Sequence, residues 1–195
     1  MNALPEPALF QLFTGARSYH RWTDERVDDA TLQRLYELFK WGPTSVNANP
    51  ARVIFVRDEA AKARLYPALM DSNVEQVRTA PVVALVCYDE AFTNLLPRLF
   101  PAFDAKPLFD ASAQLTYDTA FRNSSLQGAY LILAARALGL DVCPMSGFDN
   151  AKVDAEFLGG TTWRSNFLCL IGHGDSAGLY PRGPRLAFEE ACLVL

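Results

Sequence analysis

The sequence predicts an α+β domain, and three observations predict it. Apolar residues recur at helical spacing over about 8–16, 29–41, 58–69, 112–139 and 150–158. Three short β-branched and apolar runs, Val53–Val56, Pro81–Tyr88 and Asn166–Ile171, read as buried strands bounded by turn residues. The chain has 195 residues, 50% of them hydrophobic, which suits one domain over 1–195 with an ordinary core and argues against two.

Taken in order, residues 8–16 put Leu9, Leu12 and Phe13 on one face of a short helix, which leads into Arg17-Ser18-Tyr19-His20-Arg21-Trp22. Arginines and an imidazole beside a hydroxyl suit either a phosphate or a solvated basic turn. The helix over 29–41 stops at Gly42-Pro43 and opens the loop from Trp41 to Arg52, rich in small hydroxyls and asparagine. That composition fits a plain loop, or one that hydrogen-bonds the edge of a planar polar ligand. A helix over 58–69 ends near Pro67, and the polar stretch Asp71–Arg78 precedes the second strand.

Residues 90–112 are aromatic and broken by Pro97, Pro101 and Pro107, so they cannot form one uninterrupted helix. Both a lid over a flat ligand and a packing excursion fit them. The proline-free run 112–139 reads as one long helix with Leu126, Ala129, Tyr130, Leu133, Ala137 and Leu138 on one stripe, either core or dimer seam, ended by Gly139. Asp141–Asp149 reads as a turn in which Pro144 and Gly147 leave backbone amides exposed. After the last strand, Gly172–Ala177 satisfies G-x-G-x-x-A, but Gly178, Pro181, Gly183 and Pro184 break any helix there, so it is a glycine-rich strand exit.

Composition excludes several functions. The net charge of −4 with scattered basic residues gives no footprint for nucleic acid or an anionic membrane. No apolar run approaches bilayer length and the opening residues lack a basic-then-apolar pattern, so the expectation is a soluble, unexported, cytoplasmic protein. Cys87, Cys143, Cys169 and Cys192 form no C-x-x-C pair and fit reduced thiols rather than disulfides or metal ligands. Only His20 and His173 could serve as imidazole bases, and neither sits in a hydrolase setting. The 13 Phe and 7 Tyr point to apolar surface covered by another chain.

W-G-P-T-S-x-N-x-x-P-A-R followed by a β-run resembles the P-[ST]-S-x-N-x-Q-P-W loop of the FMN-dependent nitroreductase family, most closely the branch that includes malonic semialdehyde reductases. Four further segments match in order. Arg17, Ser18 and His20 fall on a basic-Ser-x-basic motif for the flavin phosphate and pyrimidine edge, with His20 where Arg or Lys is usual. Asn73 falls on an asparagine that reaches the flavin, whereas Gln76 stands where many relatives carry lysine, leaving Arg78 as a possible substitute. Pro144, Met145, Ser146 and Gly147 match P-x-x-G-F, whose amides meet flavin N5. Arg182 and Arg185 match a closing basic segment that returns to the phosphate.

The resemblance implies a nitroreductase-like fold, a central mostly antiparallel sheet flanked by helices, in an intertwined homodimer. It places FMN at the subunit interface, with the loops after Pro43 (Thr44, Ser45, Asn47) and after Pro144 coming from the partner, and a variable lid-like insertion near 90–112. It implies ping-pong hydride transfer from NADPH or NADH through flavin N5, with no catalytic side chain and no metal. The implied acceptor is malonic semialdehyde, reduced to 3-hydroxypropanoate; its carboxylate wants a basic partner, for which Arg98 and Arg122 are the candidates in this chain. A broad nitroaromatic or quinone reductase is the alternative in class, and a flavin-binding protein without turnover the alternative outside it.

Overall fold

The computed structural model describes residues 2–195. Helix α1 (Glu6–Leu9) passes into a π turn, Phe10–Thr14, so the predicted helix over 8–16 is a short surface element with Phe10 and Phe13 exposed. Helix α2 (Asp29–Phe39) is capped by Asp28, whose carboxylate accepts from Thr31 N at 2.7 Å. Strand β1 (Ala51–Val56) follows a 3-10 turn at Ser45–Asn47. The helix expected over 58–69 splits into α3 (Glu59–Ala63) and a 3-10 turn, Tyr66–Ala68, because Pro67 has no N–H with which to continue it. Helix α4 (Asp71–Thr79) forms from the polar stretch, and β2 (Val82–Asp89) is buried at every position.

Residues 90–112 divide, as the prolines require, into a 3-10 turn at Phe92–Leu95, α5 (Leu96–Leu99) and α6 (Lys106–Asp110), with Pro97 and Pro107 in first turns. Helix α7 (Ala113–Ala137) starts at Ser112, whose hydroxyl accepts from Leu115 N, and is left through Gly139 at φ 78°. Then come β3 (Asp141–Met145), α8 (Asn150–Phe157) and β4 (Trp163–Gly172). A 3-10 turn at Ser176–Gly178 and an exposed tail carrying α9 (Phe188–Ala191) complete the chain, with no helix opening on the glycine-rich exit.

The strands form one sheet in the order β1-β2-β4-β3, with every pairing antiparallel. Alternation along the two central strands divides the core. Leu85, Cys87, Leu168 and Leu170 face Leu65, Val77, Val153 and Leu158; Val82, Ala84, Cys169 and Ile171 face Leu35, Phe39, Leu131 and Ala135. A third cluster packs Phe92, Leu96 and Phe109 against Tyr88 and Ala120.

One expectation needs correction. Asp141–Met145 is strand rather than turn; Pro144 pairs opposite Cys169 on an edge strand, where a sheet tolerates a missing N–H. Of the two places open to the α7 stripe, core or dimer seam, it is not in the core of this chain. Leu126 is 47% and Tyr130 40% exposed, while Thr119, Asn123, Ser124, Gln127, Gly128 and Leu131 are buried.

Candidate functional site

Residues 17–23 run beside the ends of β3 and β4. Ser18 bridges Val142 in parallel, Tyr19 N donates to Val142 O at 3.3 Å, and Thr23 N donates to His173 O at 2.9 Å. The tail returns to the same place: Arg17 donates to Tyr180 O, and Arg182 Nη2 donates to Ala16 O at 3.0 Å. Together they enclose a cavity of about 230 Å³ lined by Arg17, Ser18, His20, Arg136, Arg182 and Arg185. Among the described residues none of these four arginines lies in an ion pair. A concave group of four uncompensated guanidiniums is a site for an anion. Arg136 carries no mark in the sequence, because only the end of α7 brings it here.

His20 Nδ1 lies 2.8 Å from Gln76 Oε1 and 3.7 Å from Cys143 Sγ. Gln76 Nε2 donates to Ser72 O at 3.1 Å, which turns Oε1 toward the imidazole and assigns the proton to His20 Nδ1. Gln76 therefore acts on His20 rather than supplying the missing lysine. Arg78 does not supply it either: its guanidinium pairs with Glu75 at 2.5 Å, holding that carboxyl below the usual range. Next to Gln76, Asn73 Nδ2 donates to Gly147 O at 2.9 Å and Met70 N donates to the same oxygen at 3.0 Å. A Cβ on Gly147 would stand 2.5 Å from Asn73 Nδ2, so the Asn73 amide reaches this carbonyl as it does because position 147 is glycine. Pro144, Met145, Ser146 and Gly147 thus join Asn73 and His20 of their own chain. That corrects their expected place on a partner, since β3 is the strand against which residues 18–19 lie.

The Pro43–Asn49 loop is held elsewhere. Val46, Asn47 and Asn49 all have left-handed backbone, at φ 46°, 49° and 43°. Asparagine accepts this conformation locally; β-branched Val46 is strained and is held because its side chain packs on the Phe92 cluster. Helix α7 fixes the loop from below. Asn123 Oδ1 accepts from Ser45 N at 2.8 Å, Gln127 Oε1 accepts from Ala51 N at 3.0 Å, and Gln127 Nε2 donates to Asn49 Oδ1 at 3.2 Å. Thr44 Oγ1 accepts from Asn49 N, and Asn47 Nδ2 donates to Leu99 O. Asn123 and Gln127 were not singled out in the sequence, where helical periodicity marks apolar positions only.

This loop borders a different and larger groove of about 1140 Å³, lined in part by Trp41, Asn47, Arg52, Arg98, Gln127 and Trp163. Asn123, under the loop, and Arg136, in the anion cavity, are thirteen residues apart on α7, about 20 Å along its axis. One chain therefore presents two groups of candidate residues along one helix, the first held near its middle and the second at its last turn. Arg98 and Arg122 are exposed and, among the described residues, lie in no ion pair.

Cys87, Cys143 and Cys169 are free and buried, and burial pushes the Cys143 thiol up to about 11 and Cys87 up to about 12. Among the described residues no group of three His, Cys, Asp or Glu side chains could hold a metal ion, and no helix is long and apolar enough to cross a membrane.

The model of the nitroreductase family matches residues 14–174. A provisionally named NADH dehydrogenase/NAD(P)H nitroreductase of Rhodopseudomonas palustris strain TIE-1 is 55% identical over 194 residues, covering 100% of this chain and 99% of that protein. A protein of the same name from Burkholderia lata is 58% identical over 194 residues and covers all of both. The fold is shared with a nitroreductase-named protein of Exiguobacterium sibiricum, solved in complex with FMN: TM-score 0.85, 23% identity, 100% of this chain and 99% of that one.

Proposed function

This chain belongs to the nitroreductase family, an oxidoreductase family, and we propose that it is an FMN-dependent NAD(P)H oxidoreductase that works as a homodimer. The observation that carries the reading is the cavity of four uncompensated guanidiniums lined also by His20, which Gln76 ties to the helix that carries Asn73 and, through it, Gly147. This donor set fits flavin mononucleotide. Arg17, Arg182 and Arg185 would neutralise its phosphate, with the Ser18 hydroxyl beside them. His20, steadied at Nδ1 by Gln76, keeps Nε2 for the ligand, and the bare backbone at Gly147 allows close approach along Pro144–Gly147. When bound, the flavin supplies reversible hydride chemistry at N5. No side chain here needs to act as nucleophile or acid–base pair, and NADPH or NADH and the acceptor occupy the same space in turn, which is ping-pong turnover.

The second copy completes the site. Ser45, held at Asn123, lies about 20 Å along α7 from Arg136, which supports the reading that a ligand seated on Arg17 and Asn73 meets Thr44, Ser45 and Asn47 of another copy. Among the described residues Ser45 Oγ makes no hydrogen bond within the chain. The exposed apolar face of α7, the unpaired outer edge of β1, and the extended tail ending in exposed Leu193, Val194 and Leu195 support an intertwined pair. The free buried thiols support a reducing, cytoplasmic setting.

For the acceptor we infer malonic semialdehyde, reduced to 3-hydroxypropanoate. Arg98 borders the groove beside Asn47 without a counter-ion, and Arg122 stands exposed next to Asn123; either suits a carboxylate. Residues 90–112 then form the cover that selects the acceptor. A nitroaromatic or quinone reductase is the second reading, since it needs only an open apolar slot such as the groove beside Trp41 and Trp163. The first experiment is an absorption spectrum of the purified protein before and after anaerobic NADPH or NADH. Flavin bands that bleach support the oxidoreductase; failure of added FMN to bind removes it. Relative kcat/KM for the semialdehyde and for a nitroaromatic, in wild type and Arg98→Ala, then decides the acceptor.

A further inference from the structure

The four arginines of the anion cavity are not equivalent. Arg182 and Arg185 reach it from the exposed tail and half-buried Arg17 from a loop, whereas Arg136 projects from the last turn of α7. Its Nη1 donates to Leu12 O at 2.9 Å, yet its Nε is buried without any hydrogen-bond partner. Among the described residues no carboxylate lies within ion-pair distance of it. Asp141, the acidic group whose field it feels, accepts from Gly174 N at 2.9 Å, and Arg182 adds a like charge. Burial, followed by Arg182, pushes the guanidinium's affinity for its proton down. A role confined to the helix C-terminus would be served by an exposed side chain in the last turn and does not account for an orphaned, desolvated Nε beside a second cation. A guanidinium partly desolvated in this way and without a carboxylate is costly unless an anion in the cavity it lines offsets its charge.

We propose that Arg136 is a phosphate-binding residue of this cavity, the one of the four held by a helix, and that it sets the preference for a flavin carrying a phosphate monoester. This rests on the reading of the cavity as a flavin site. A monoester carries about −1.5 to −2 charges at neutral pH, so a fourth, half-buried cation acts on FMN and has nothing to act on in riboflavin.

The test is titration of the flavin-free full-length protein with FMN and with riboflavin, followed by flavin fluorescence, in wild type, Arg136→Gln and Arg136→Lys. The expected result is a roughly 10- to 100-fold weaker FMN dissociation constant in R136Q, with riboflavin within about twofold of wild type. R136K keeps the charge and loses the fork, and recovers part of the loss. Should R136Q fail to fold, R136K decides, with a several-fold fall expected in the ratio of FMN to riboflavin affinity. Equal weakening of both flavins, or an unchanged ratio, overturns the proposal and leaves Arg136 a structural cap. A wild type that binds neither flavin overturns the flavin reading and this assignment with it.

Discussion

The side-chain amide of Asn73 donates to Gly147 O at 2.9 Å, tying the first turn of α4 to the loop after β3. The bond exists because position 147 lacks a Cβ; an added methyl would stand 2.5 Å from Asn73 Nδ2 and 2.9 Å from Met70 Sδ. Both obstructing atoms are side-chain ends, so Gly147→Ala displaces them rather than the backbone. We expect the variant to fold, with a melting temperature within about 2–4 °C of wild type, and to bind FMN up to about tenfold more weakly. Flavin titration beside a thermal melt checks this, and a variant with wild-type flavin affinity would remove Asn73 and Gly147 from the site.

Asn123 is buried and carries the loop on the far half of α7, accepting from Ser45 N at 2.8 Å and donating to Thr119 O at 2.8 Å. Asn123→Ala leaves Ser45 N without its acceptor, at a cost of about 1–3 kcal/mol, while Thr119 O keeps its helical bond within α7. Asn166 is the control, since its amide bonds Ser124 Oγ and Ser125 Oγ and touches no part of the loop. Melts should fall in both alanine variants, while flavin retention on desalting falls only in the Asn123 variant. Equal retention would show that the loop does not depend on α7.

The buried thiols give the fold an alkaline limit. Burial pushes Cys87 up to about 12 and Cys143 to about 11, and pushes Cys169 up as well, against about 8.5 for an unfolded thiol. Between about pH 9 and 11 the unfolded chain sheds these protons while the folded chain keeps them. The folded state then binds more protons, so stability falls as pH rises, by up to about 1.4 kcal/mol per pH unit for each thiol. Thermal melts under reductant at pH 7.5, 9 and 10 should show an accelerating drop, smaller in Cys169→Ala relative to its own value at pH 7.5. A flat profile to pH 10 would contradict the burial argument.

How much could be read from the sequence depends on whether a feature is local. The span of α7 was legible because no proline interrupts it and Gly139 ends it. Its orientation was not: the face turned inward carries Asn123, Ser124 and Gln127, which serve a polar loop, so apolar periodicity marked the outward face instead. Helix α4 escaped notice because Val74 and Val77 are its only aliphatic side chains and Met70 caps it without a side-chain bond. Lys62 reads as an ordinary surface lysine, yet its buried Nζ donates to Arg78 O and Ala80 O, a contact made only by the packing of α3 on α4. The site residues taken from motifs came together in two groups, Arg17, Ser18 and His20 with Asn73, Pro144–Gly147, Arg182 and Arg185, and Pro43–Asn47 apart from them. Arg136, Asn123 and Gln127 lie on one helix between those groups and belong to no local motif.

That division leads to the test of the proposed pair. Leu126 and Tyr130 lie one turn apart on the outward face of α7, at 47% and 40% exposure, with Phe121 and Tyr117 further along the helix. In a lone chain Glu at 126 is solvated and should change stability by no more than about 0.5 kcal/mol. Across a helix seam the same carboxylate is desolvated without a partner, a cost of several kcal/mol. Light scattering on Leu126→Glu should therefore give the 21.6 kDa mass of one chain where wild type gives twice that, with helical circular dichroism retained. The monomer should also lose FMN, because Thr44, Ser45 and Asn47 of the second copy are gone while Arg17, Asn73 and Gly147 remain in place. A folded monomer that keeps its flavin would mean that one chain holds the whole site, and the two groups of residues would have to be joined by some path other than a partner.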